Sequence, residues 1–119
     1  MKKTCPIYQV AGFIGKRWTL LILTELHKGR KKWKRYSEIK RKLPEITPKM
    51  LSARLKEMGR EGLLKRRLNA SSFPVKSEYR LTPKGEDFIG IVRYMRDWAL
   101  KWKVRNAFCE TVDCEDCEI

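Results

Sequence analysis

Lys49, Ala53, Lys56 and Arg60 recur at helical spacing with Ser52 on one flank, which puts small side chains among long cations on one face. Such a face is suited to nucleic acid. Ser52 and Ala53 leave clearance for a major groove, and Lys49 and Lys56 are long enough to reach base edges or phosphates. Thr47 opens this helix and completes its candidate contact set. A second set, Lys65, Arg67 and Lys76, follows on alternating segments that would lie along a neighbouring minor groove or phosphate ridge. A third, Lys34, Arg35 and Ser37, comes at the end of the basic run Arg30–Arg35 and is expected beside the flanking phosphates, with Trp33 anchoring the loop. Charged outward faces are also common on merely solvated helices, so the capping signals around this one must decide.

The other reactive groups are four cysteines. Cys109, Cys114 and Cys117 cluster at the C-terminal end and Cys5 lies at the other. A single Cys-x2-Cys pair is half of what a structural zinc site generally uses, and Cys5 could be a fourth ligand only if the ends meet. A disulfide and free thiols are the alternatives. Acids flank the tail cysteines and disfavour thiolate there, whereas Lys2, Lys3 and a following helix favour it at Cys5, the better redox candidate. The sole histidine, His27, falls in a helix's last turn, where a structural or surface role is expected. With no phosphate-cradling glycine loop and no histidine-containing metal motif, neither an enzyme nor a bound cofactor is expected.

Two short helices, a tight turn and a strand must position the cations, and the stretch Tyr36 to Arg67 supplies the signals for all of them. Ser37 is the expected N-cap of the first helix, Ile39 and Leu43 give it an apolar side, and Pro44 ends it by excluding the α region for Leu43. Thr47 caps the second helix and Pro48 occupies its first turn, where a missing N–H costs nothing. Leu51, Leu55 and Met58 face inward. After Gly62 the period changes to two: Leu64–Asn69 and Val75–Leu81, joined by Ala-Ser-Ser-Phe-Pro, predict a β-hairpin. That order predicts a mainly α protein with a small β-hairpin (α+β), a winged helix-turn-helix.

Two further helices precede this unit: a short one over Pro6–Gly15 and an apolar one over Trp18–Leu26, the expected core helix, closing at Lys28-Gly29. Thr82-Pro83 repeats the cap-and-proline signal and opens a long terminal helix. Phe88, Ile91, Met95, Trp98 and Trp102 form a stripe along it at steps of three and four. The stripe exceeds what a small domain needs to cover itself and predicts a homodimer seam; packing back on the core helix is the alternative.

The 119 residues suffice for one domain with a modest core, and no apolar run is long enough for a membrane span. Met-Lys-Lys is not followed by the apolar region of a secretion signal, so a cytoplasmic location is expected. The formal charge is +14. Five of the 14 acids and none of the 28 cations fall in residues 109–119, so residues 1–108 carry +19. The expected division is therefore a DNA-binding unit over 1–108 and an acidic, cysteine-containing tail over 109–119. Charge of this size draws any polyanion by counterion release.

Cys5-Pro6-Ile7, Ile14-Gly15-Lys16-Arg17-Trp18, Ile46-Thr47-Pro48-Lys49-Met50-Leu51-Ser52, Leu55-Lys56-Glu57-Met58 with Gly62-Leu63, and Glu78-Tyr79-Arg80-Leu81-Thr82 with Gly85 occur in this order. As a set they resemble the HxlR-type branch of winged-helix transcriptional regulators, near the MarR-like regulators. The resemblance covers most of residues 5–102. It implies a homodimer that binds double-stranded DNA at a palindromic operator, with a cysteine near the N-terminus that in several relatives senses oxidants or electrophiles. The basic loop Arg30–Arg35 and the cysteine-rich tail depart from the pattern, and nothing carries over there. The function expected is sequence-specific regulation of transcription, responsive to an oxidant or small-molecule effector. The alternative is a basic architectural DNA- or RNA-binding protein that does not read sequence.

Overall fold

The computed structural model describes residues 1–117; Glu118 and Ile119, the end of the expected tail, lie outside the described residues. Helix α1 (Pro6–Ile14) leads into α2 (Arg17–His27), a two-residue strand β1 (Lys34–Arg35), the helix pair α3 (Tyr36–Lys42) and α4 (Pro48–Arg60), the hairpin β2 (Leu64–Asn69) and β3 (Lys76–Leu81), and the long α5 (Pro83–Trp102). A short α6 (Ala107–Thr111) and a single 3₁₀ turn (Cys114–Asp116) follow.

The core is where α2, α3 and α4 converge on the base of the sheet. Ile22, Leu23 and Leu26 of α2 meet Ile39 of α3, Leu51, Leu55 and Met58 of α4, and Leu63, Leu64, Leu81 and Ile89 from the wing base and α5, with Ile46 in the turn. The expected inward face of the second helix is thus the observed one. His27 is buried at the end of α2, its Nδ1 2.9 Å from Glu86 Oε2, and ties α2 to α5.

Local chemistry fixes the element ends. Thr47 Oγ1 accepts from the Met50 N–H at 3.2 Å, and Thr82 Oγ1 accepts from Gly85 N–H at the same distance, so both cap-and-proline signals mark real helix starts. At the far end of α4, Gly62 takes φ +78° while Leu63 N–H returns to Met58 O at 2.9 Å and Gly62 N–H to Gly59 O at 3.1 Å. This double closure lets the chain reverse into the wing with Leu63 turned inward.

One expectation needs correction, and the structure adds one element. Ser37 does not cap α3. The N-cap is Arg35, whose backbone N–H is taken by the Glu38 carboxylate at 3.3 Å, and Ser37 is an exposed residue of the first turn. The extended backbone is held up to Arg35 by a strand the sequence did not suggest. Lys34 pairs with Tyr79 and Arg35 with Glu78, giving a three-stranded antiparallel sheet in the order β1-β3-β2. Two residues are too few to show alternation.

Candidate nucleic-acid interface

The face of α4 opposite the core presents Lys49, Ser52, Ala53, Lys56 and Arg60, all exposed; Thr47 is exposed too, with its hydroxyl engaged as the cap. Acids near this face are held by other cations. Glu57 meets Lys16 Nζ at 2.8 Å and Arg54 at 2.9 Å, and Arg17 reaches Glu45 at 3.1 Å. The Lys16 hydrogen bond, with the charges of Lys16, Arg54 and Arg60, outweighs desolvation and holds the Glu57 carboxyl below its ordinary range. Lys16 thereby links the α1–α2 junction to α4. Tyr36 donates its hydroxyl to the Pro48 carbonyl at 3.0 Å and fixes α3 against the start of α4.

Between α4 and the wing runs a groove of about 480 Å³, lined by Ser52, Leu55, Lys56 and Gly59 on one wall and Leu64, Lys65, Arg66 and Tyr79 on the other. Helix and wing cations therefore border one concave surface. Arg66 enters this surface without having been foreseen, because the period-two reading paired it with Leu64 and Leu68 on the apolar side. Arg66 is exposed and donates to Ser77 Oγ at 2.8 Å. Exposed Arg80 on β3 adds a further wing cation.

Other candidates have local partners. The Arg67 guanidinium lies 4.1 Å from the Trp33 ring centre and its Nε is 3.1 Å from the buried Glu78 carboxylate; Lys65 Nζ is 5.7 Å from the same ring. Trp33 is thus the anchor of the basic loop, docked beneath wing cations. Lys76 is half-buried. Lys34 is not presented to solvent as a phosphate contact: its ammonium donates to the carbonyls of Glu25 and Lys28 at the end of α2, and burial pushes its pKa down from 10.5 to about 8. Arg35 Nε is buried without a partner among the described residues. Of the flanking set only Ser37 is exposed.

Cys5, Cys109, Cys114 and Cys117 are free thiols, each half-buried, and Cys5 is the N-cap of α1. No group of three His, Cys, Asp or Glu side chains is placed to hold a metal among the described residues. The tail folds back on the body. Gly29 N–H donates to the Glu115 carbonyl at 2.7 Å, Lys32 reaches Glu115 Oε2 at 3.3 Å, Arg93 pairs with Asp113 at 3.4 Å, and Arg96 lies 3.8 Å from Cys114 Sγ. The expected boundary after residue 108 falls inside α6. On α5, Ile91, Met95, Trp98 and Trp102 are 48–68% exposed, whereas Phe88 turns inward and packs against the core.

The model of the HxlR-like helix-turn-helix family matches residues 13–107, from the last turn of α1 through the whole wing and α5. The chain belongs to the HxlR-like helix-turn-helix family. The HTH-type transcriptional regulator YdzF of Bacillus subtilis (strain 168) is 40% identical over 98 residues, 82% of this chain and 87% of that protein. A solved MarR-family transcriptional regulator from Porphyromonas gingivalis W83 superposes with a TM-score of 0.76 at 30% identity, over 86% of this chain and 96% of its own. The reduced form of the transcriptional regulator YodB from B. subtilis superposes at 0.70 with 35% identity, over 92% and 98%. This HxlR-like chain is accordingly a winged-helix, DNA-binding transcriptional regulator of MarR-like fold, and its family is one of regulators rather than enzymes. No helix among its described residues is long and apolar enough to cross a membrane.

Proposed function

We propose that this regulator is a cytoplasmic homodimer that reads a palindromic operator in double-stranded DNA through α4 and changes its DNA affinity when Cys5 meets an oxidant or electrophile. The observation that carries the reading is the groove bordered by Lys56 and Ser52 of α4 and by Lys65 and Arg66 of the wing. A duplex seated there offers bases to the small residues and cations of α4 and phosphates to the wing. The exposed apolar residues of α5, with Ile7 of α1 68% exposed, support pairing of two copies. Lys49, Ser52, Ala53, Lys56 and Arg60 are assigned to the groove floor, and Lys65, Arg66, Arg80 and Lys76 to phosphate. Residues 1–108 act as the reading and pairing unit.

YodB is known in reduced, quinone-bound and diamide-treated forms, and redox control is proposed here from that likeness and from the thiol at the start of α1. The test is a binding selection over random duplexes at physiological salt, repeated with oxidant. Enrichment of an inverted repeat, with half-sites about one helical turn apart and binding lost on oxidation in wild type but not in Cys5→Ser, supports the reading. Flat enrichment would instead favour a sequence-indifferent architectural protein, and oxidant-dependent release that survives in Cys5→Ser would remove that residue as the sensor.

A further inference from the structure

The tip of the wing presents an aromatic side chain with nothing to pack on. Phe73 is 100% exposed, and Leu68 and Val75 beside it are 61% and 53% exposed. The turn that carries it is held by its own polar groups. Asn69 Oδ1 accepts from Ser71 N–H at 3.1 Å, Ser72 N–H donates to the Asn69 carbonyl at 3.4 Å, and the Ser72 hydroxyl donates to the Pro74 carbonyl at 3.2 Å. Below this apolar tip the strands carry Lys65 and Arg66 on β2 and Lys76 and Arg80 on β3.

An apolar point on a cationic stem suits a base step approached between two rows of phosphates. The fold also sets the reach. The wing leaves α4 through the Gly62 reversal, and the six residues of β2 extend roughly 20 Å at about 3.3 Å each. With α4 in a major groove, the adjacent minor groove lies about half of a 34 Å helical turn away. The wing is therefore long enough to reach the next minor groove.

We propose that Phe73 is a wedge: it enters the minor groove beside the half-site and inserts part-way between two base pairs, unstacking that step and bending the duplex, while the stem cations hold the flanking phosphates. This rests on the proposed function and deepens it. It adds a preference at positions that α4 never touches, since a flexible pyrimidine–purine step yields to a wedge more readily than a stiff A-tract.

The experiment uses the duplex enriched in the selection, with 2-aminopurine placed at successive steps outside each half-site and a dye pair at the ends. Wild type is expected to raise 2-aminopurine fluorescence severalfold at one step per half-site and to bring the ends closer. It should also bind a duplex with a pyrimidine–purine step there about tenfold more tightly than one with an A-tract. Phe73→Ala should lose all three effects while still preferring the selected duplex over a random one, with an unchanged melting transition because the side chain is fully exposed. Phe73→Leu, which keeps an apolar point, should retain part of the bend. Unstacking absent from wild type, or unchanged in Phe73→Ala, would overturn the wedge. So would a Phe73-dependent association of free protein in sedimentation without unstacking, which would make the tip a contact between copies. Equal binding of selected and random duplexes by wild type would overturn the parent reading, and with it the wedge as part of operator recognition.

Discussion

At the scale of single residues, the cations of this chain divide by what holds them. Lys34 and Arg67 are clasps, and Lys49 and Lys56 are exposed on the reading helix. The Lys34 clasp has a pH signature. Burial lowers its pKa from 10.5 to about 8, so between pH 8 and 10.5 the native state holds fewer protons than the unfolded chain and stability from this group rises with pH. Below about pH 8 the group is protonated in both states and contributes no slope. The difference in urea-unfolding free energy between wild type and Lys34→Met is expected to grow in favour of wild type across that window. A difference that stays flat would place the Lys34 ammonium in water. None of this was legible in the sequence, where Lys34 and Arg67 are two cations in basic runs: their partners are backbone carbonyls of α2 for one, and Trp33 with Glu78 for the other, all brought in by the third strand and the fold of the loop.

At the scale of elements, the parts written in local chemistry were the legible ones. Thr47-Pro48 and Thr82-Pro83 are read directly because a cap and a proline act within one turn. The hairpin was legible from its period and the core from the inward faces of two helices. The strand Lys34–Arg35 was not, since its existence depends on pairing with Tyr79 and Glu78, more than forty residues away in sequence. Gly85 belongs to the same class of long-range constraint: a Cβ there would lie 2.1 Å from the Leu63 carbonyl oxygen and 3.1 Å from Leu81 Cδ2. Gly85→Ala is therefore expected to push α5 off the base of the wing at a cost of about 1–3 kcal/mol or more, measured by chemical denaturation. Wild-type stability in this variant would show that α5 shifts there freely.

At the scale of the whole molecule, the apolar stripe and the cationic reading face lie on different elements. The stripe Ile91, Met95, Trp98 and Trp102 is on α5, while Lys49, Lys56 and Arg60 are exposed on α4 and Lys65, Arg66 and Arg80 on the wing. Pairing of two copies through that stripe predicts that Met95→Glu with Trp98→Glu gives monomers in sedimentation equilibrium; a retained dimer would move the seam to another face. The docked tail adds what sequence could not show, that an acidic segment rests on Gly29, Lys32 and Arg93 rather than trailing free. Its expected boundary was drawn on charge alone, and charge pairs with whatever the fold brings near.

The central claim is that α4 reads bases while the wing grips phosphate, and affinity against salt on the selected and on random duplexes tests it most directly. Lys49→Ala and Lys56→Ala are expected to cost about 1–3 kcal/mol on the selected duplex and to relax its sequence, with little loss on random DNA. Lys65→Ala and Arg66→Ala should weaken both duplexes alike and lower the salt slope by about one each. Equal losses on selected and random duplexes for the Lys49 and Lys56 variants would contradict the claim, leaving α4 as a second phosphate grip.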